Sequence, residues 1–346
     1  MKPKFGIVGC GNISKFHFNG LEKAGAEIVH IADINETAAR PWVDKFGAKF
    51  STNYDDLIND PDVTVVSILT GSKFHIDIAM KAIKAGKDII CEKTMMDNAE
   101  EAEEVARAVA DSGTLFFSAF MKRFLPATIK AKELLPSLGR IFSAQVRTYQ
   151  SWGNFYEADD AGDFGFVLGT YGGAVTKCAG SHMLDMMLFL LGRPDSLYAN
   201  IDYIPGTKFD RKSTALFEYA NGMNVSFEAA THPLKKIGYE KNSWDEFIQI
   251  NGVNGRLDLY TVMWDQPENN AALLVHYDNE TETSTEYRFD AVNPFDVEMQ
   301  YIADCLEKRV QGEPRVIDGF NTDTLIETMT ISSQKRASIE IDWKGL

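Results

Sequence analysis

Over residues 1 to 122 short apolar runs alternate with stretches of helical periodicity, and this rhythm limits the fold more than any other feature of the chain. The runs are Phe5 to Val8, Glu27 to Ala32, Val63 to Leu69, Asp88 to Cys91 and Thr114 to Ala119, each bounded by turn residues. Continuous apolar runs suit strands covered on both faces, and parallel strands need a helical crossover between them. The pattern therefore predicts βαβ units around a parallel sheet. Asn12 to Leu21 has helical spacing, Ala79 to Gly86 reads as a helix with a glycine C-cap, and Asn98 to Ala110 as an amphipathic helix with an acidic start.

After about residue 140 the period changes to two, as in RIFSAQVRTY, where Phe142, Ala144 and Val146 share one face. Alternation of this kind predicts an antiparallel sheet. Asn221-Gly222 sits between two alternating runs and signals a hairpin with a type I′ turn, which needs positive φ at both central residues. Further strands are expected at Leu197 to Ile204, Glu246 to Ile250, Arg256 to Tyr260, Ala272 to Tyr277 and Thr285 to Phe289, with helices at Ala174 to Leu191 and Val297 to Val310. A chain of 346 residues exceeds one ordinary core, so two domains are expected, 1–122 and 123–346. The first is a doubly wound parallel sheet of the Rossmann kind, and the second is built on a large, mainly antiparallel sheet.

Charge and composition remove several classes. Fifty acidic against 35 basic side chains give a formal charge of −15, without the basic footprint of nucleic-acid binding, so no nucleic acid is expected as a partner. No apolar stretch approaches the roughly 20 residues that cross a bilayer, so no membrane partner is expected. Cys10, Cys91, Cys178 and Cys305 lack CxxC or zinc-type spacing and read as reduced core thiols, with no metal site. Met1 to Lys4 lead straight into a strand without a secretory apolar region, and a cytoplasmic location is expected.

The first run ends in Gly9-Cys10-Gly11-Asn12-Ile13-Ser14, a G-x-G-x-x-S turn opening a helix. Gly9 would allow the tight turn, and Gly11 would let the backbone approach a pyrophosphate at the positive helix end. Asn12 and Ile13 lie between them and the helix, and Ser14 stands where a packing glycine is usual. By itself such a pattern is as readily a plain turn. Asp33, 22 residues after Gly11 at the end of the second run, favours a nucleotide, because a carboxylate there accepts ribose hydroxyls and repels a 2′-phosphate. NAD is therefore expected in preference to NADP, with Arg40 the residue that keeps NADP open.

The segment SILTGSKFHIDIAMKAIKAGKDIICEKTMMDNAEEA, residues 67–102, resembles the Gfo/Idh/MocA oxidoreductases, which include glucose-fructose oxidoreductase and inositol dehydrogenase types. Their pattern is Thr-Pro at a strand end, a histidine, a helix ending Ala-Gly-Lys, and a strand ending Glu-Lys-Pro. This chain has Thr70-Gly71, His75, Ala85-Gly86-Lys87 and Glu92-Lys93-Thr94, with glycine and threonine in place of the two prolines. A later stretch, YGGAVTKCAGSHMLDMMLFLLG, is similar to the family's glycine cluster and its Asp-x-x-x-His-x-x-Asp helix, with Cys178 in the first acidic place and His182 and Asp185 in the others. The resemblance spans essentially the whole chain.

It implies an NAD(P)-dependent oxidoreductase moving a hydride between a nicotinamide and a hydroxyl-bearing carbon of a sugar, sugar derivative or cyclitol. Lys93 would be the acid/base group and His182 would assist the proton. Thr70, His75, Glu92 and Lys93 would line the cofactor. Oxidising an alcohol removes a hydride from carbon and a proton from oxygen, and a strand's carboxyl end in an open α/β sheet is where ligands bind, which suits Lys93. By α-helical spacing Cys178, His182 and Asp185 share one face, so Asp185 would orient His182 or Cys178 would simply fill space. Arg123 is read as a substrate contact or a surface charge, and Tyr149, Trp152 and Tyr171 as stacking surfaces for a sugar ring or core aromatics. Redox-neutral glycoside cleavage and a non-catalytic sugar- or nucleotide-sensing role are the rival readings. A homodimer or homotetramer through the C-terminal sheet is expected from the family.

Overall fold

The computed structural model describes residues 2–153, 155–156, 174–263 and 271–346, which leaves Tyr171 outside. The chain divides into two compact units, Met1–Met121 with Pro294–Asp323, and Lys122–Asn293 with Thr324–Leu346. The sequence boundary at 122/123 did not anticipate that 294–323 joins the first unit.

In that unit β1 (Lys4–Val8), β2 (Glu27–Ala32), β3 (Lys49–Ser51), β4 (Val65–Ile68), β5 (Asp88–Glu92) and β6 (Phe116–Ala119) form a sheet of order 3-2-1-4-5-6. All of its pairings are parallel. This is the dinucleotide-binding order, whose direction reverses between β1 and β4. The crossovers are α1 (Ser14–Lys23), α2 (Glu36–Phe46), α3 (Tyr54–Ile58), α4 (His75–Lys84) and α5 (Ala99–Ser112). Asn35, Asn53 and Asn98 cap α2, α3 and α5 by accepting backbone N–H bonds. The core contains Phe5, Ile7, Phe18, Ile31, Val65 and Ile90. A further helix, α8 (Pro294–Lys308), seals α1: Phe16 and Phe295 stack 4.7 Å apart. Gly20 lets the two helices close, since a Cβ there would meet Met299 Cγ at 2.8 Å and the Phe295 carbonyl oxygen at 3.0 Å.

The second unit holds nine strands. They are β7 (Ile141–Gln150), β8 (Ser196–Tyr203), β9 (Asp210–Glu218), β10 (Asn224–Thr231), β11 (Asp245–Gly252), β12 (Gly255–Tyr260), β13 (Leu273–Asp278), β14 (Thr283–Arg288) and β15 (Ile339–Glu340). Their order is β14-β13-β12-β11-β7-β10-β9-β8-β15, antiparallel except for the β7–β10 pair. One face buries Ala144, Val146, Phe217, Phe227, Ile248 and Leu257 together with α6 (Pro126–Leu134), α7 (Ser181–Leu191) and the second half of α9 (Val316–Lys335).

Two details of the sequence reading need correction. The hairpin between β9 and β10 forms, but only Gly222 has positive φ, and the loop closes through Gly222 N–H to Tyr219 O at 2.9 Å; the tight type I′ turn is replaced by a longer loop. The helix expected over 174–191 is a π-helical turn, Thr176–Gly180, followed by α7. Cys178 thus lies within the π-helical turn and His182 in the first turn of α7.

Candidate active site

The glycine turn lies between β1 and α1, at the carboxyl edge of the parallel sheet. Gly9 has φ +102°, and a Cβ there would sit 2.9 Å from the Leu69 carbonyl carbon and oxygen, so both conformation and space require glycine. Gly11 differs: a Cβ would meet nothing within 4 Å, which leaves open space over the turn. The N-terminus of α1 carries no side-chain cap and no acidic residue in its first turn, and the Ser14 hydroxyl donates back to Gly11 O at 2.7 Å. Backbone N–H groups facing open space at a positive helix end fit a pyrophosphate.

Asp33 does more than the sequence disclosed. Its Oδ2 accepts the Cys10 N–H at 2.5 Å and its Oδ1 accepts the Asn35 N–H at 2.7 Å, so the carboxylate fixes the middle of the glycine turn. Each oxygen keeps a lone pair for a ribose hydroxyl. Next to it Ile34 is 92% exposed, and Arg40 pairs with Glu36 on α2. Burial, with Asp33 adding to it, pushes the Cys10 thiol up to about 12, so it is a neutral neighbour of the turn.

The loop after β5 carries Lys93, partly buried, with a cis peptide to Thr94. Glu92 is buried and bonded on both oxygens, Oε1 lying 2.7 Å from His17 Nε2 and Oε2 accepting the Lys93 N–H at 3.0 Å. The loop is pinned further on, where Met96 N–H donates to Asp323 Oδ2 at 2.7 Å. Gly319 packs so closely on Met95 that a Cβ would approach its sulfur to 2.5 Å.

His75, which the family pattern places along the cofactor, is fully buried between two loops, Nε2 2.9 Å from Thr70 O and Nδ1 3.0 Å from Met95 O. Burial lowers its pKa against those carbonyls and raises that of Cys91, whose sulfur lies 3.4 Å from Nδ1. A neutral ring donates to one of those two carbonyls, according to which nitrogen carries the proton. The group holds the ends of β4 and β5 together.

In the second unit, Asp210 anchors the start of the His182 helix. Its carboxylate accepts Ala174 N–H at 2.5 Å, Thr176 N–H at 2.7 Å and the Thr176 hydroxyl at 2.6 Å. Burial raises its pKa and these donors oppose the rise. Asp185 clasps Arg123 through two bonds, Nε to Oδ2 at 2.9 Å and Nη2 to Oδ1 at 2.5 Å, with the side chains only 5% (Arg123) and 1% (Asp185) exposed. Arg123 is thus no surface charge, and Asp185 is committed to a guanidinium.

Sequence reasoning also missed a buried polar end to the sheet's inner face. There Glu246 accepts from Thr148 Oγ1 at 2.9 Å, Gln150 Nε2 at 3.3 Å, Thr261 Oγ1 at 2.6 Å and the Lys122 ammonium. Tyr149 alternates onto the opposite face, away from Gly180 and α7, with Arg147 over its ring. Trp152 packs with the small cluster of Phe155, Ala174, Ile204 and Phe209. No side-chain cluster among the described residues could hold a metal.

The sheet order and the Asp33-clamped glycine turn define a dinucleotide-binding protein of the Rossmann class. Residues 3–120 match the family model described as "Oxidoreductase family, NAD-binding Rossmann fold", and residues 129–258 match the GFO/IDH/MocA C-terminal domain. The chain belongs to the Gfo/Idh/MocA oxidoreductase family. It is 26% identical to inositol 2-dehydrogenase of Salmonella typhimurium over 99% of this chain and 97% of that protein. It is 25% identical to D-xylose 1-dehydrogenase (NADP(+)) 2 of Haloferax volcanii over 98% and 99%. The structure of levoglucosan dehydrogenase in complex with NADH and levoglucosan superposes with TM-score 0.84 at 21% identity, covering 99% and 100% of the two chains.

Proposed function

We propose that the protein transfers a hydride between a nicotinamide cofactor and a hydroxyl-bearing carbon of a sugar, sugar derivative or cyclitol. The observation that carries this is the glycine turn clamped by Asp33 on the sheet edge that also presents Lys93. Gly9, Gly11, Asn12, Ile13 and Ser14 would hold the pyrophosphate and Asp33 the ribose, with NAD preferred because a 2′-phosphate would meet the Asp33 carboxylate. Arg40, engaged by Glu36 and lying over Phe50 at 5.5 Å, is drawn away from answering that phosphate.

When bound, the nicotinamide supplies the hydride acceptor. Lys93 would take the hydroxyl proton as general base, a role that uses its neutral amine. His182 relays the proton or orients the hydroxyl. Cys178 stands in the first acidic place of the family pattern, and Asp185 is held by Arg123. The buried Lys122–Glu246 and Arg123–Asp185 pairs fix the elements around His182.

Curated relatives act on inositol and xylose according to their names, which supports a polyhydroxylated substrate. Tyr198 and Leu216 stand exposed and directly opposite each other on the sheet's outer face, and would be covered in a homodimer or homotetramer formed through that sheet. Cytoplasmic residence fits the four unbridged cysteines. The test is reduction of NAD and NADP over a panel of sugars and cyclitols, with product analysis. NADH formation on one class supports the proposal; release of a sugar without net NADH would replace it with redox-neutral cleavage.

A further inference from the structure

We infer that His17 is a positioning residue for Lys93, acting through Glu92 and linking the cofactor-binding helix to the proton-transfer group. The inference rests on the proposed role of Lys93. His17 lies on α1, three residues beyond Ser14, so its backbone moves with the helix whose first turn would grip the pyrophosphate. Its side chain is fully buried and its Nε2 lies 2.7 Å from Glu92 Oε1. Glu92 ends β5 and turns its other oxygen back on the chain to accept the Lys93 N–H at 3.0 Å. The carboxylate is thereby stretched between a helix and the backbone of the very next residue.

Two physical points make this more than packing. A buried carboxylate needs a donor on each oxygen, and loss of His17 would strip Oε1 of its donor while Oε2 kept the Lys93 N–H, so Oε1 would seek another donor and the carboxylate would turn. The His17 ring also makes no second bond. Its Nδ1 is buried without a partner and the Phe295 ring lies 6.2 Å away at a tilt of 60°. An imidazole kept in a dry site for a single hydrogen bond is there for that bond. The other titratable groups near Glu92 are His75, Cys91 and, beyond Cys91, Asp323; all three are engaged with the β4 and β5 loops, and Cys91 reaches only the Glu92 backbone oxygen, at 3.5 Å.

His17→Gln and His17→Leu separate donation from volume, because the two side chains are of similar size and only the amide can donate to Glu92. The account expects His17→Leu to lower kcat by about 10- to 100-fold, the usual cost of a misplaced reacting group, while Kd for NAD stays within about threefold. His17→Gln should recover most of kcat. Glu92→Gln, which removes the negative charge beside Lys93, should move the limb of the kcat/KM profile that reports Lys93 to lower pH, because a neighbouring carboxylate favours the ammonium. Equal losses in His17→Leu and His17→Gln would reduce His17 to packing and overturn the inference. So would an NAD affinity that falls in step with kcat, or a Glu92→Gln profile that does not move. Lys93→Ala, run alongside, separates the two claims: full turnover there overturns the lysine's role and the inference with it, whereas a dead Lys93→Ala beside an unaffected His17→Leu overturns the inference alone.

Discussion

Gly9 and Gly11 stand two residues apart in one turn, yet alanine should affect them in opposite ways. At Gly9, φ of +102° puts an L-residue in a strained region costing about 1–3 kcal/mol, and the new Cβ at 2.9 Å from the Leu69 carbonyl adds a packing cost of about 1–3 kcal/mol. Together these destabilise the first unit by roughly 2–6 kcal/mol, and for a domain of this size each kcal/mol lowers the melting temperature by about 2–4 °C. At Gly11 a Cβ touches nothing within 4 Å and the backbone needs no positive φ, so Gly11→Ala should change stability by less than about 1 kcal/mol in either direction. That methyl would nevertheless occupy the space a pyrophosphate needs. Calorimetric melts with titration calorimetry of NAD separate the two effects: Gly9→Ala melts early, and Gly11→Ala melts normally but binds NAD at least about tenfold more weakly. Normal NAD affinity in Gly11→Ala would refute the placement of the pyrophosphate, and an unchanged melt in Gly9→Ala would refute the backbone reasoning.

Other perturbations follow from the same contacts. Asp185→Ala leaves the Arg123 guanidinium buried without its carboxylate and should destabilise the second unit by about 3–5 kcal/mol, whereas Arg123→Met with Asp185→Leu should recover most of that in a denaturant titration. Asp33→Ala should weaken NAD binding and narrow the gap between NAD and NADP, read as the ratio of their kcat/KM values. Asp60 is held at about 2: burial alone would raise it, but the Lys49 ammonium, the Asp62 N–H and His30 outweigh that. A depressed carboxylate contributes stability above its unfolded pKa and loses it as pH falls, so Asp60→Asn should lose stability at neutral pH and flatten the acid limb between about pH 4 and 2.

The parallel sheet was legible because its strands are apolar on both faces and three of its helices begin at asparagine caps, as at Asn98. Helix α9 was not, because Gly319 to Ile326 is buried without a break and no amphipathic stripe remains to mark it. Strand β3 is three residues long and only half covered, too short for a period to show. At the site, glycine spacing and the Glu-Lys pair located the turn and the lysine, since both are local patterns. The bonds that fix them join residues far apart in the chain, Asp33 to Cys10, Glu92 to His17 and Asp185 to Arg123, and such pairings become visible only after folding. The π-helical turn before α7 was hidden for a related reason: Asp210, 34 residues beyond Thr176, fixes its start.

The central claim is direct hydride transfer from a carbon of the polyol, with Lys93 managing the proton. Its most direct measurement uses the best substrate of the panel, carrying deuterium on the carbon oxidised, and follows the label into the reduced cofactor in wild type and in Lys93→Ala. Deuterium recovered on the nicotinamide ring in wild type, with none formed by a Lys93→Ala protein that still binds NAD, is the predicted result. Deuterium lost to water, or transfer at an undiminished rate without Lys93, would contradict it.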